Sequence, residues 1–139
     1  MSAIIQMLRK HEGVETHAYK CTVNKTTIGV GRNIDKAGGI GLSDDEIDYL
    51  LANDVKRVRA ELSGAFRWFK MAAPARHDAM MDMCFNMGLP RLKKFKNALA
   101  AMAMGDYNEA AREFLNSRWA TQVGQRAITV TDIIRSGEY

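Results

Sequence analysis

Ser43 followed by Glu46 forms a capping box, and Asp44 and Asp45 place further negative charge where a helix N-terminus favours it. Ile47, Leu50, Leu51, Val55, Val58 and Leu62 then recur at steps of three and four, while Lys56, Arg57 and Arg59 lie toward the end that prefers cations. The spacing predicts one long amphipathic helix over about 44–62. This element constrains the fold most, because it divides the chain into a short N-terminal part and a longer C-terminal part.

The two parts differ in pattern. Upstream, Ile4, Ile5, Met7 and Leu8 fit one face of a short helix that Gly13 ends just after Glu12. From Ala18 to Gly31, short runs rich in Tyr, Thr, Val and Ile around Asn24-Lys25 read as a β-hairpin. Residues 33–42, with Gly38, Gly39 and Gly41, read as a loop or a poorly formed third strand. Downstream of Ser63-Gly64 the pattern is helical to the end. Pro74 suits a first turn and Gly88 a C-cap, with Met80, Met83, Cys84 and Met87 as an apolar stripe between them. Asp106 and Glu109 form a second capping box, and a last helix runs from about Gln125 to Arg135, before Gly137.

The expected fold is therefore α+β and mainly helical, one domain over residues 1–139. It comprises an N-lobe of about 1–43, the connecting helix of about 44–62 and a helical lobe of about 64–139, with substrate expected in a cleft between the lobes. Hydrophobic residues at 47% and charged residues at 26% exclude disordered and fibrous classes. A net charge of +4 favours anionic surroundings without choosing among nucleic acid, membrane and an acidic wall polymer. The N-terminus has no signal-peptide or membrane-spanning pattern, so retention in the cytoplasm and no stable membrane insertion are expected. Cys21 and Cys84 imply no disulfide framework and are expected as thiols.

Three side chains carry the expected chemistry. Glu12, Cys21 and Thr27 stand in HEGVETHAYKCTVNKTTIGVGR, just around a Thr-Ile-Gly-Val-Gly turn. A carboxyl group that holds a proton, a second ionisable group and a hydroxyl that orients water are the parts needed to hydrolyse a glycosidic bond. His11, His17 and His77 have no partners at ligand spacing, so no metal and no cofactor is expected. The Gly29-Val30-Gly31 piece lacks the context of a nucleotide loop, and Lys93, Lys94 and Lys96 read as a solvated helix face; no nucleic-acid partner is expected.

These motifs resemble the bacteriophage lysozymes of the T-even type, a muramidase family of phage endolysins. MLRKHEG and TIGVG match its front, and Phe85-Asn86-Met87-Gly88, Glu109-Ala110-Ala111, Ser117-Arg118-Trp119 and Gln125-Arg126-Ala127 follow in the family's order. The resemblance implies a lysozyme-like fold and cleavage of peptidoglycan between N-acetylmuramic acid and N-acetylglucosamine. It also implies a host-cytoplasmic monomer that needs a holin to reach the wall. Glu12 then matches the general acid, a role that calls for partial burial to keep its proton. Thr27 matches the water-orienting hydroxyl. Arg126 matches an arginine that faces the glutamate across the cleft. Cys21 stands where familiar members carry aspartate; Lys20 or Lys25 would favour its thiolate. Phe85 falls on a substrate-contact position with Asn86 beside it, Asn33 is expected to bind substrate, and Ala98 and Glu113 stand at changed contact positions. Arg32 and Asp54 match an ion pair that ties hairpin to helix. The thiol leaves two alternatives to hydrolysis with inversion: attack on carbon with retention, or a module that binds peptidoglycan without cutting it. A lytic transglycosylase is the nearest enzymatic rival.

Overall fold

The computed structural model describes residues 2–139 and divides the chain into two compact units, one ending at Leu50 and one from Leu51 to Tyr139. The boundary falls inside the long helix.

In the first unit, α1 (Ala3–Glu12) starts at Ser2, whose hydroxyl accepts the Ile5 N–H at 3.4 Å. It ends at Gly13, which turns the chain with φ 77°. The sheet is antiparallel in the order β1 (Glu15–Lys20), β2 (Thr26–Gly29), β3 (Arg32–Asn33). The expected hairpin is thus the core of a slightly larger element: β1 begins before Ala18, and Arg32-Asn33 pair with β2 as a short third strand. The irregular register between Glu15 and Tyr19 bends β1. Asn24 takes the left-handed conformation, φ 62°, in the turn between β1 and β2, a shape asparagine tolerates. Among the described residues of this unit only Thr27 has a buried side chain. The apolar face of α1, from Ile4 to Leu8, is exposed.

The long helix, α2 (Asp44–Ala65), opens at the predicted capping box: Ser43 N–H donates to Glu46 Oε1 at 2.9 Å and Glu46 N–H to Ser43 Oγ at 3.4 Å. It runs three residues beyond the expected end, straight through Gly64. Glycine in a helix costs about 1 kcal/mol. Burial of Leu62 and packing of Phe66, whose N–H donates to the Leu62 carbonyl, outweigh that cost.

The second unit continues with a 3₁₀ turn, Phe69–Met71, and then α3 (Pro74–Met87), α4 (Leu89–Leu92), α5 (Lys96–Met104), α6 (Tyr107–Leu115), α7 (Arg118–Val123) and α8 (Gln125–Ser136). α6 packs on α5 and α8, and α3 packs on α8. Asp106 caps α6 by accepting the Glu109 N–H, and Gly137 closes α8 in the left-handed conformation, both as the sequence predicts. The methionine stripe of α3 is core, packed with Leu62, Phe69, Phe114, Trp119 and Ile134. Cys84 is buried and Cys21 half-buried, both as free thiols. No helix of the described residues is long and apolar enough to cross a membrane.

Candidate active site

Glu12 is the last residue of α1 and its carboxyl lies against the backbone of Gly31, in the turn between β2 and β3. A β-carbon on Gly31 would come within 2.6 Å of Glu12 Oε2 and 2.9 Å of Cδ. The backbone there is also left-handed, φ 66°. Glycine is favoured there for its conformation, and any side chain in its place would push the Glu12 carboxyl aside. Glu12 is exposed, in place of the partial burial that the role of acid calls for.

Cys21 and Thr27 meet at the other end of β2. The Cys21 N–H donates to the Lys25 carbonyl at 3.0 Å, and the Asn24 N–H to the Cys21 carbonyl at 2.8 Å, closing a tight turn. The Lys25 N–H points at Cys21 Sγ at 3.4 Å. That donor first, then the Val23 N–H, hold the thiol below the ordinary cysteine range; partial burial opposes them, and the Thr27 hydroxyl adds to them. The thiolate is thus favoured by backbone dipoles and not by the lysine charges the sequence suggests. Lys20 Nζ donates to Thr26 Oγ1 at 2.7 Å, and Lys25 Nζ to the Ala37 carbonyl at 3.1 Å. Thr27 is buried, and its hydroxyl donates to the Lys25 carbonyl at 2.9 Å.

Arg32 and Asp54, expected as a pair, each have a partner within their own unit. Arg32 makes a two-pronged contact with Glu46, Nη2 to Oε2 at 2.8 Å and Nη1 to Oε1 at 3.1 Å, and also donates to the Gly41 carbonyl at 3.0 Å. Asp54 pairs with Arg57 one turn on, at 2.8 Å. Glu46 sits in the first turn of α2, close enough to serve both the capping box and the guanidinium fork. Sequence spacing cannot rank it above Asp54, since both are acidic residues on the same helix.

Asn33 spends its amide oxygen inside the loop, accepting the Asp35 N–H at 2.9 Å. In the second unit, Phe85 and Arg126 line one groove of about 310 Å³ together with Val55, Met81, Asp78 and Asp82. Phe85 is half exposed there. The Arg126 guanidinium is taken up by Asp82, Nε to Oδ1 at 2.8 Å, a partner the sequence does not single out. Asn86 faces elsewhere: its oxygen accepts the Trp119 indole N–H at 2.8 Å and orients that buried ring. Glu113 pairs with Arg112 at 3.2 Å and lines a separate polar hollow with Lys94, Lys96 and Asn116, beside the buried Ala98.

An acid at a helix end, beside a hairpin that carries a thiol and a buried hydroxyl, has the parts of a glycoside hydrolase, and comparison with known proteins agrees. Residues 9–132 match the phage lysozyme family. The chain belongs to that family. It is 28% identical to the probable T4-type lysozyme 2 of Dictyostelium discoideum, over 99% of this chain and 96% of that protein. It is 24% identical to an endolysin of Acyrthosiphon pisum secondary endosymbiont phage 1, over 86% of this chain and 80% of that one. The pre-baseplate central spike protein Gp5 of Enterobacteria phage T4 is 27% identical over 97% of this chain, which covers 28% of that longer protein. Membership makes this phage lysozyme a glycoside hydrolase of lysozyme type, acting on peptidoglycan, with the α+β fold the sequence implies.

Among the described residues no three histidine, cysteine, aspartate or glutamate side chains come together as a metal site. Two contacts at the catalytic end escape sequence reading. The Gly31–Glu12 approach is signalled only by a glycine in a turn. The Lys25–Cys21 contact runs through a backbone N–H, which every residue type but proline supplies equally.

Proposed function

We propose that this phage lysozyme hydrolyses the β-1,4 bond between N-acetylmuramic acid and N-acetylglucosamine, with Glu12 as general acid and Cys21 and Thr27 as the water-handling pair. The observation that carries the reading is the hairpin itself. It seats the Glu12 carboxyl on Gly31 at one end of β2 and joins a thiol of lowered pKa to a buried hydroxyl at the other.

Glu12 gives its proton to the glycosidic oxygen as that bond breaks. The Thr27 hydroxyl donates its hydrogen bond to the Lys25 carbonyl, so its oxygen is left to accept from a water molecule. Cys21 as thiolate takes a proton from that water while the water oxygen bonds to the anomeric carbon. The glutamate ends as carboxylate and the cysteine as thiol, and solvent returns the proton from one to the other. Attack by water on the face opposite the leaving group inverts the configuration. In this reading Asn33, Phe85 and Arg126 receive the glycan, while Asn86 orients Trp119 and Glu113 stands in its own hollow. The positive charge assists approach to a polymer carrying carboxylates. The enzyme acts as a monomer, without cofactor or metal, in lysis of a host cell. It waits in the host cytoplasm until a membrane lesion, such as a holin makes, admits it to the wall.

The test is clearing of outer-membrane-stripped cells by wild type and Glu12→Gln at matched folded concentration. Removal of a general acid predicts a fall of about 100-fold or more. Equal clearing removes Glu12 from the mechanism. Mass analysis of the released fragments separates a hydrolysed reducing end from the anhydro end of a transglycosylase.

A further inference from the structure

Asp35 has no place in the steps above, yet both oxygens of its carboxylate are engaged by backbone donors. Its Oδ2 accepts the Thr26 N–H and its Oδ1 the Ala37 N–H, both at 2.9 Å. Its own N–H donates to Asn33 Oδ1 at 2.9 Å. Lys20 Nζ lies 3.9 Å from Oδ2. The loop closes tightly over it: a β-carbon on Gly39 would come within 2.5 Å of the Asp35 carbonyl oxygen. These bonds hold Asp35 at a pKa of about 2, the Thr26 N–H contributing most, so it stays ionised at any working pH.

The Thr26 N–H belongs to the same planar peptide unit as the Lys25 carbonyl, and in a trans peptide the two point in opposite directions. On its Asp35 side this unit is held by the carboxylate. On its other side the Lys25 oxygen accepts from both the Cys21 N–H and the Thr27 hydroxyl. Fixing one edge of the plane therefore fixes the other. Lys20 adds a second tie, reaching from the residue before Cys21 to Thr26 Oγ1.

We propose that Asp35 is a positioning residue: by holding the Lys25–Thr26 peptide plane it fixes the Lys25 carbonyl, which accepts from the Cys21 N–H and the Thr27 hydroxyl, and so keeps Cys21 in place beneath the Lys25 N–H and sets the direction of the Thr27 hydroxyl. The inference rests on the reading of Cys21 and Thr27 as catalytic groups. Asp35 itself touches neither substrate nor water in the reaction. The charged side chains nearest the turn, Lys20 and Lys25, direct their ammonium groups to Thr26 and Ala37, so the peptide plane is what couples Asp35 to the sulfur.

Asp35→Asn keeps the shape but offers one oxygen where the wild type offers two, so one of Thr26 and Ala37 loses its acceptor. The readout is the rate of Cys21 alkylation by iodoacetamide against pH, followed by peptide mass, with buried Cys84 as the internal report of folding. In folded Asp35→Asn the midpoint for Cys21 should rise by about half a pH unit or more. On peptidoglycan, kcat should fall roughly 5–20-fold while KM stays within about two-fold. A carboxylate that merely staples the loop lowers the melting temperature and leaves both the Cys21 profile and kcat in place, and that result overturns the proposal. If Cys84 reacts as fast as Cys21, the variant has not folded and Lys20→Met decides. It should move the Cys21 midpoint in the same direction by less, and an unmoved midpoint again overturns the proposal. A wild type that clears no cells sinks the hydrolytic reading alone, because the alkylation profile needs no substrate.

Discussion

In the unit Leu51–Tyr139, apolar side chains from Leu62 and Phe69 to Phe114 and Ile134 are buried in one continuous core. In the unit that ends at Leu50, Thr27 alone is buried among the described residues, and order comes from hydrogen bonds and charge: Asp35 to two N–H groups, Arg32 to Glu46 and Gly41, the Lys25 carbonyl to Cys21 and Thr27. The contrast teaches where catalytic groups can be placed. An apolar core accepts side chains that conserve its volume, whereas a polar network fixes directions, which the proposed handling of one water molecule by a thiol and a hydroxyl requires.

The contrast is sharpest for large-to-small changes. Phe114→Ala, at a fully buried ring tilted against Phe95, should cost about 3–5 kcal/mol by denaturant unfolding. Ile4→Ala, on the exposed face of α1, should stay within about 0.5 kcal/mol. Equal costs would break the comparison. A smaller effect is expected where the helical unit itself uses a polar device. Arg76 donates to the Ile134 carbonyl at 2.7 Å and the Arg135 carbonyl at 3.2 Å, while its guanidinium lies 3.5 Å from the centre of the Tyr107 ring. Arg76→Ala should cost about 1–2 kcal/mol, with early fraying of α8 in hydrogen exchange; Arg76→Lys, which keeps charge but loses the fork, should recover only part of it.

The smallest expected effect is a local one in acid. Asp35 titrates at about 2 in the folded chain against an ordinary 3.8. A group depressed in this way stabilises the fold above its ordinary value, and the contribution fades as pH falls from about 4 through about 2. Amide signals of Thr26 and Ala37 should therefore shift over that range while those of Ile134 and its neighbours hold. Flat Thr26 and Ala37 signals down to pH 2 would show that the carboxylate does not hold the turn.

How much was legible in the sequence follows the same division. Ser43, Pro74, Gly88, Asp106 and Gly137 each mark a helix end through a local rule, and each stands where that rule puts it. α2 runs on past Gly64, which weakens a helix locally, because Leu62 and Phe66 hold it through distant packing. In the small unit Glu12, Cys21 and Thr27 were legible as residue types at a spacing. Their surroundings were not: the exposure of Glu12, the Glu46 partner of Arg32 and the backbone donor on Cys21 are facts of three-dimensional approach.

The sequence by itself determined the family, the order of elements and which groups are proposed to react, because caps, periodicity and motif spacing are properties of neighbours along the chain. Tertiary structure alone decided which acid meets Arg32, which N–H reaches the Cys21 sulfur and how close Glu12 comes to Gly31. Those contacts depend on direction and on separations of a few ångströms between strands and loops, and many different residues satisfy them equally well when read as letters.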